Sequence, residues 1–159
     1  MEQPQINEHN KAEYPPMHTA EHILNATMIK MFGCPRSKNA HIERKKSKCD
    51  YQLITEPTAS QIEQIEAKVN EVINMHLAVT VEYMPKEQAA LIVDLSKLPF
   101  DATDTLRIVR IGEYDTCACA GDHVLNTNEI APFKIISTNF TKEMGEETGR
   151  WRLRFKLLE

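Results

Sequence analysis

The sequence lacks any apolar run that approaches the roughly 20 residues a helix needs to cross a bilayer. It also lacks a secretory signal, because the segment from Met1 to Tyr14 is polar. We therefore expect a cytoplasmic protein with no membrane partner. Cysteine is scarce, with four residues in the chain. Without a secretory context, free thiols or metal ligands are favoured over disulfides.

Excess positive charge is absent as well, since 19 Lys and Arg are outnumbered by 23 Asp and Glu and the net charge is −4. An RNA partner would therefore have to be held by a local basic patch or by its chemical end. The composition, 42% apolar and 26% charged, is typical of a soluble globular protein. The length favours a single domain. We expect a flexible N-terminal tail at 1–13 and one domain at 14–159.

Two short motifs, about a hundred residues apart, carry the strongest chemical signal. In His18-Thr-Ala-Glu-His22 the histidines would lie one turn apart on one face of a helix, so both imidazoles can reach one point. The second motif, Cys117-Ala-Cys119-Ala-Gly-Asp-His123, adds an imidazole and a thiolate. Four N and S ligands are the set that zinc prefers. Cys119 is the first choice for the thiolate, although Cys117 competes with it.

Helical and strand periodicity predict an α+β domain. A first helix is expected from Pro15-Pro16 to the stop at Gly33, and a second begins at a capping box over Ser60-Gln-Ile-Glu63. The segment 34–53 is expected to form a hairpin or a loop flanked by strand. Further elements are strands near 79–83, 106–111, 132–137 and 150–157, a short helix at 86–92 and a loop at 99–104. The strand at 106–111 is expected to lead directly into the cysteine motif. We predict two layers, with helices packed on one face of a mainly antiparallel β-sheet.

Positive charge is concentrated in two places. The first is the segment 34–48, which either forms a solvated edge that resists aggregation or acts as a phosphate-contacting arm. The second is the last strand, where Arg150, Arg152, Arg154 and Lys156 alternate with Trp151, Leu153, Phe155 and Leu157. The simplest interpretation of this second basic row is the solvated face of a strand.

The paired motifs resemble those of a known family. His-Thr-Ala-Glu-His-Ile-Leu at 18–24 and Cys-Ala-Gly-Asp-His-Val at 119–124 are similar to the HxxxH and CxxxH motifs of the editing domain of alanyl- and threonyl-tRNA synthetases and of free-standing AlaX-type editing proteins. The similarity extends through the helix at 62–70, the strand residues 109–112 and the segment 126–135. It implies one Zn²⁺ ion held by His18, His22, Cys119 and His123, which decides for Cys119 over Cys117.

The same resemblance implies roles for further residues. Thr19 occupies the position whose hydroxyl faces the amino acid in alanyl-type relatives, so it is expected to act in catalysis and to donate to or accept from a serine side chain. Gly121 belongs to the loop expected to contact the substrate. Asp122 departs from the tripeptides Gly-Gly-Thr and Arg-Gly-Pro usual in the family. It could act as a base, orient a ligand histidine, bind the substrate amino group or only form a turn. The expected phosphate contacts are Arg36, Lys38, Arg44, Lys45, Lys46 and Lys48.

The resemblance thus implies a stand-alone, zinc-dependent hydrolase that deacylates the acceptor end of mischarged tRNA, most simply serine on alanine tRNA. The length leaves no room for a class II aminoacylation core, so we expect neither amino-acid activation nor ATP binding. Two alternatives remain. One is a metal-containing module that binds charged tRNA without hydrolysing it, and the other is a small-molecule esterase or amidase on the same fold.

Overall fold

The computed structural model describes residues 14–93 and 104–159. The tail predicted at 1–13 lies outside the described residues, as does almost all of the loop predicted at 99–104. The helices are α1 (Pro15–Phe32), α2 (Ala59–Ile73) and the short α3 (Lys86–Ala89). The strands are β1 (Asn39–His41), β2 (Ser47–Leu53), β3 (Val79–Pro85), β4 (Thr105–Ile111), β5 (Asp115–Ala118), β6 (Phe133–Thr141) and β7 (Gly149–Leu157).

Helix α1 confirms the prediction at both ends. Proline occupies its first positions, where no backbone N–H is needed, and the chain leaves the helix at Gly33 in the left-handed conformation, with φ 66°. Every residue from Met17 to Met28 is buried. A helix buried all round lies inside the protein, so its polar side chains must find partners there.

Helix α2 begins earlier than predicted. Its N-cap is Thr58, whose side chain accepts a hydrogen bond from the backbone N–H of Gln61, while the side-chain oxygen of Gln61 accepts one from the backbone N–H of Thr58. The capping box expected at Ser60 and Glu63 is therefore wrong by two residues. The two boxes have similar sequences, so the local pattern alone did not separate them. The inward stripe includes Ile65, Val69 and Val72.

The strands form two antiparallel sheets, which confirms the α+β class but divides the predicted single sheet. One sheet has the order β1-β2-β7-β6 and the other has the order β3-β4-β5. The alternation predicted for β7 is confirmed, because Trp151, Leu153 and Phe155 are buried. Strand β6 slips by one residue against β7 between Ile135 and Ser137, which is a β-bulge.

The two sheets meet at α1, which contacts β2 of the first sheet and β5 of the second. Strand β5 was not predicted. The chain turns after β4 at Gly112 and runs back as β5 before it reaches Cys119, so the expected direct path from β4 into the cysteine motif is wrong. This return brings the loop after β5 to the first turns of α1. Within residues 14–93 and 104–159, no helix combines the length and apolar character needed to span a membrane.

Candidate metal centre

The first two turns of α1 bring His18 and His22 together. Both side chains are buried, each 3% exposed, and their ring centroids lie 4.8 Å apart with the rings nearly perpendicular. One helical turn separates them, as the spacing predicted. Two buried imidazoles side by side require polar partners, because an unsatisfied buried polar group is costly.

The loop after β5 supplies those partners. The Sγ atom of Cys119 lies 3.4 Å from Nε2 of His18, and the ring of His123 stacks on the ring of His18 with 4.0 Å between centroids. The ligand atoms of His18, His22, Cys119 and His123 all lie within 4.8 Å of one another. Three imidazoles and one thiolate converging on one point can hold a metal ion, and the set is compatible with zinc.

Hydrogen bonds at Nδ1 of His18 and His123 leave the Nε2 atoms of these two rings available to the cluster. Nδ1 of His18 donates to the carbonyl oxygen of Asp122 at 3.0 Å, which leaves Nε2 of that ring unprotonated when the imidazole is neutral. Nδ1 of His123 is hydrogen-bonded to Oγ1 of Thr19 at 2.9 Å. Nε2 of His123 is buried, and no described residue meets it with hydrogen-bonding geometry. A bound metal ion would satisfy this atom, so the residues present fit the ion.

The protonation states of Cys119 and His123 fit metal binding. Burial by itself would raise the pKa of Cys119, but His22 and the other two imidazoles around the sulfur outweigh burial and lower it to about 2. Burial also lowers the pKa of His123 to about 4. By contrast, burial raises the pKa of Cys117 to about 12. A thiolate at Cys119 and a neutral imidazole at His123 are the forms that bind metals.

A buried carboxylate behind His22 completes the support of the site. Oδ2 of Asp115 lies 3.4 Å from Nδ1 of His22, and the same carboxylate accepts two hydrogen bonds of 2.8 Å from Arg36. Burial would raise the pKa of Asp115, but these contacts with Arg36 and His22 hold it well below the usual range. Metal-ligating histidines commonly have such a carboxylate on their second nitrogen.

Arg107 holds the backbone of the loop after β5, which we call the ligand loop because it carries Cys119 and His123. Its Nη1 atom donates to the carbonyl oxygens of Cys119, at 2.8 Å, and of Gly121, at 2.7 Å. The N–H of Cys119 returns a hydrogen bond to the carbonyl oxygen of Arg107. The loop is therefore tied to β4 through its backbone, whatever side chains it carries.

A second buried carboxylate lies beside the cluster. Oε1 of Glu21 is 3.7 Å from Nε2 of His22, and Oε2 accepts a hydrogen bond of 2.6 Å from Asn25. The amide oxygen of Asn25 in turn accepts from the hydroxyl of Tyr51 and from the N–H of Ser37. This network anchors α1 to β2 and to the segment that follows α1.

The residues predicted from the sequence fall into three groups. The four predicted metal ligands are brought together, and Thr19 lies among them, fully buried, with its hydroxyl engaged by His123 and by the N–H of Val124. Gly121 and Asp122 belong to the loop and contribute carbonyl oxygens, while the side chain of Asp122 is exposed. The exposed hairpin cations are Lys38, Arg44, Lys45 and Lys46.

The predicted phosphate contact Arg36 does not belong to that exposed group. Its guanidinium points inward and is paired with Asp115. The supporting roles of Asp115, Arg107 and Glu21 were missed by sequence reasoning. The sequence signal for two of them was weak. Asp115 is an acidic residue two positions before Cys117, and Glu21 is an acidic residue between His18 and His22.

Known proteins resemble this chain over most of its length. A model of the Threonyl and Alanyl tRNA synthetase second additional domain matches residues 106–154, the part that contains Cys119 and His123. The alanine-tRNA ligase of Blochmanniella floridana is 30% identical over 150 residues, which is 94% of this chain and 16% of that protein. The alanine-tRNA ligase of Ligilactobacillus salivarius is 32% identical over 130 residues, which is 81% of this chain and 14% of that protein. The matches thus span only 14–16% of the length of these relatives.

Proposed function

We propose that this chain, a relative of the second additional domain of threonyl and alanyl tRNA synthetases, is a zinc-dependent hydrolase that removes a wrongly attached amino acid from tRNA. The observation that carries the proposal is the convergence of His18, His22, Cys119 and His123 within 4.8 Å. The substrate we propose is serine esterified to alanine tRNA, hydrolysed in the cytoplasm by the chain acting in trans.

The chemistry of alanine selection explains why such an activity is needed. A small apolar pocket rejects an analogue that adds only a hydroxyl by about 10²-fold, so serine passes at a rate that protein synthesis does not tolerate. A separate hydrolytic site can supply the missing discrimination. In the reaction, the oxygen of water bonds to the ester carbon and water gives up a proton to a protein base. The bond from that carbon to the ribose oxygen breaks, and the ribose oxygen takes up a proton to become a hydroxyl group.

The protein residues have distinct roles in this proposal. The ligand set would hold a zinc ion that supplies Lewis-acid polarisation of an ester carbonyl or acidifies a water molecule. The contacts from Asp122, Thr19 and Asp115 keep the Nδ1 side of the histidines occupied and the Nε2 atoms available. We assign Glu21 as the proton acceptor, since it is a buried carboxylate beside the cluster. The exposed carboxylate of Asp122 is assigned to the substrate ammonium group.

One observation favours a second candidate, a metal-containing module that binds charged tRNA without hydrolysing it. The set comprises four protein ligands, and the side chains of His18, His22 and Cys119 are almost completely buried. Closed four-ligand sites are typical of structural zinc, whereas catalytic sites usually keep one position open. This candidate predicts stoichiometric zinc and tRNA binding without loss of the ester.

A deacylation assay separates these candidates. The purified, zinc-loaded chain is incubated with seryl and glycyl esters of alanine tRNA, with seryl threonine tRNA and with correct alanyl tRNA, and loss of the ester is followed against buffer. We expect the seryl ester of alanine tRNA to be hydrolysed and the correct ester to be spared. If none is deacylated faster than in buffer while zinc is bound, the hydrolase proposal fails.

Matched variants sharpen this assay. His22→Ala should lose both zinc and activity, whereas Lys68→Ala, a substitution on the exposed side of α2, should leave both unchanged. A seryl ethyl ester tests the small-molecule alternative. If it is hydrolysed as efficiently as seryl tRNA and with no dependence on salt, the small-molecule esterase is supported instead.

A further inference from the structure

The outer side of the four-stranded sheet carries an unusual density of positive charge. On β7, Arg150, Arg152, Arg154 and Lys156 point away from the core, between buried Trp151, Leu153 and Phe155. Antiparallel pairing places Lys48 of β2 opposite Arg154, and Lys134 of β6 opposite Lys156. We call this surface the basic face; it comprises Lys48, Lys134, Arg150, Arg152, Arg154 and Lys156.

Little of this charge is neutralised within the described residues. Asp50 is the one acidic residue at the outward positions of these strands, and it is bound by two hydrogen bonds from Arg152. Lys134 has a longer contact of 3.8 Å with Glu66. Among the residues at 14–93 and 104–159, no carboxylate lies within ion-pair distance of the other four cations, which are Lys48, Arg150, Arg154 and Lys156. The chain as a whole carries a net charge of −4, so general basicity does not explain the cluster.

Fold stability does not explain the cluster either. Like charges placed directly opposite one another across antiparallel strands are destabilising, and here Lys48 faces Arg154 and Lys134 faces Lys156. A sheet face needs only polar side chains to remain solvated. Retaining opposed cations therefore indicates that the basic face meets negative charge from outside the chain.

The size and composition of the basic face favour an extended polyanion. Side chains two residues apart on a strand are separated by roughly 7 Å, so the row from Arg150 to Lys156 extends about 20 Å, more than a single phosphate can cover. Between the cations lie Ser137, Asn139 and Gln52, which are side-chain types that contact phosphate and sugar oxygens. The outward positions of these four strands hold no Phe, Tyr or Trp, so stacking on unpaired bases is not the mode of binding.

We infer that the basic face binds the sugar-phosphate backbone of the paired stem of tRNA. This inference rests on the proposed function and adds to it the surface that holds the substrate. A membrane surface fits less well, because insertion requires exposed apolar side chains and the face offers only Ile136, at the bulge. A cavity adjoins the basic face at Arg150. This cavity of about 380 Å³ is lined by Arg150, Lys38 and Arg36, and Arg36 is the residue paired with Asp115 behind His22.

Salt-dependent binding of uncharged tRNA tests the inference. Fluorescence anisotropy of end-labelled tRNA is measured between about 50 and 200 mM salt for the wild type and for the triple variant Arg150→Ala, Arg154→Ala, Lys156→Ala. Each lost phosphate contact lowers the slope of log K against log salt by about one, so the triple variant should bind more weakly and lose a slope of about three. The conservative variant Arg150→Lys, Arg154→Lys keeps the charges and should keep the slope. Equal affinity and slope for the wild type and the triple variant would overturn the inference.

Controls separate misfolding and other partners from the expected result. Removing opposed cations should leave the thermal unfolding midpoint unchanged or raise it, and Lys68→Ala serves as a cation outside the face. Vesicles that contain phosphatidylserine should bind the wild type less tightly than tRNA does; tighter binding to vesicles would overturn the inference.

If the wild type deacylates seryl tRNA and the triple variant has the same KM, the basic face is not the substrate surface although the proposed function stands. If tRNA binding depends on the basic face but no ester is hydrolysed, the inference that this face binds tRNA is supported and the proposed hydrolase function fails.

Discussion

The Nδ1 atom of His22 lies 3.4 Å from Oδ2 of Asp115, and two hydrogen bonds from Arg36 hold that carboxylate in place. The contact turns Nδ1 of His22 toward the carboxylate and leaves Nε2 as the ring nitrogen available to a metal ion. Asp115 is on β5, His22 is on α1 and Arg36 follows α1. One buried ion pair therefore couples the orientation of a predicted metal ligand to the packing of three chain segments.

Replacing Asp115 should weaken metal binding. Asp115→Asn keeps the shape of the side chain but removes the charge that orients His22, and such substitutions behind a ligand cost roughly 10–100-fold in metal affinity. Zinc affinity is measured by competition with a chromophoric chelator, and the near-ultraviolet circular dichroism spectrum checks that the variant is folded. Glu113→Gln, an exposed acid next to the same strand, should bind zinc as the wild type does. An unchanged affinity of Asp115→Asn would show that the contact does not orient His22 for the metal.

The two neighbouring cysteines should differ sharply in metal binding. The sulfur of Cys119 lies in the cluster, whereas the thiol of Cys117 donates to the carbonyl oxygen of Ala118 and its pKa is raised to about 12 by burial. Cys119→Ser should lose stoichiometric zinc, and Cys117→Ser should keep one ion per chain. The measurement is the zinc-to-protein ratio after desalting. A Cys119→Ser variant that keeps a full equivalent of zinc would assign the ligand to Cys117.

The four candidate metal ligands could be predicted from the sequence. The spacing of His18 and His22 fixes their common face as soon as α1 is a helix, and the family resemblance selects Cys119 and His123. The supporting contacts were not predictable. Asp115 reaches His22, and Arg107 reaches the ligand loop, only after β4 and β5 have paired and packed on α1. No local periodicity encodes those distances.

The fold shows the same division between local and long-range information. Helices and alternating strands follow the periodicity of apolar residues, so α1, α2 and β7 were predicted correctly in type. The grouping of strands into two sheets depends on long-range pairing, such as β2 with β7, which periodicity does not specify. The basic row of β7 was interpreted as a solvated face for the same reason. Only the pairing of β7 with β2 and β6 shows that Lys48 and Lys134 join it.

Thr19 should act on the metal through His123. Its hydroxyl is hydrogen-bonded to Nδ1 of His123 and accepts a hydrogen bond from the backbone N–H of Val124. Thr19→Val therefore leaves Nδ1 of His123 and the N–H of Val124 without this partner. Loss of buried hydrogen bonds of this kind costs about 1–3 kcal/mol of unfolding free energy and should also weaken zinc binding. Thr19→Ser retains the hydroxyl and should restore both. Chemical denaturation and chelator competition are the measurements. Unchanged zinc affinity in Thr19→Val, with a lower kcat/KM for seryl tRNA alone, would instead place the hydroxyl on the substrate.

The Asp50 and Arg152 pair should make a pH-dependent contribution to stability. Burial would raise the pKa of Asp50, but hydrogen bonds from Arg152 and Asn39 outweigh burial and lower it. A carboxylate whose pKa is lower in the folded state stabilises the fold above its unfolded pKa of about 3.9, and this stabilisation is lost as the pH falls through the folded value. Asp50→Asn should therefore lower the unfolding midpoint at neutral pH, and the difference from the wild type should shrink below about pH 4. Glu82→Gln, which breaks an exposed pair with Arg110, should shift the midpoint far less at either pH. A difference between the wild type and Asp50→Asn that stays constant down to acid pH would mean that the charge of Asp50 does not stabilise the sheet.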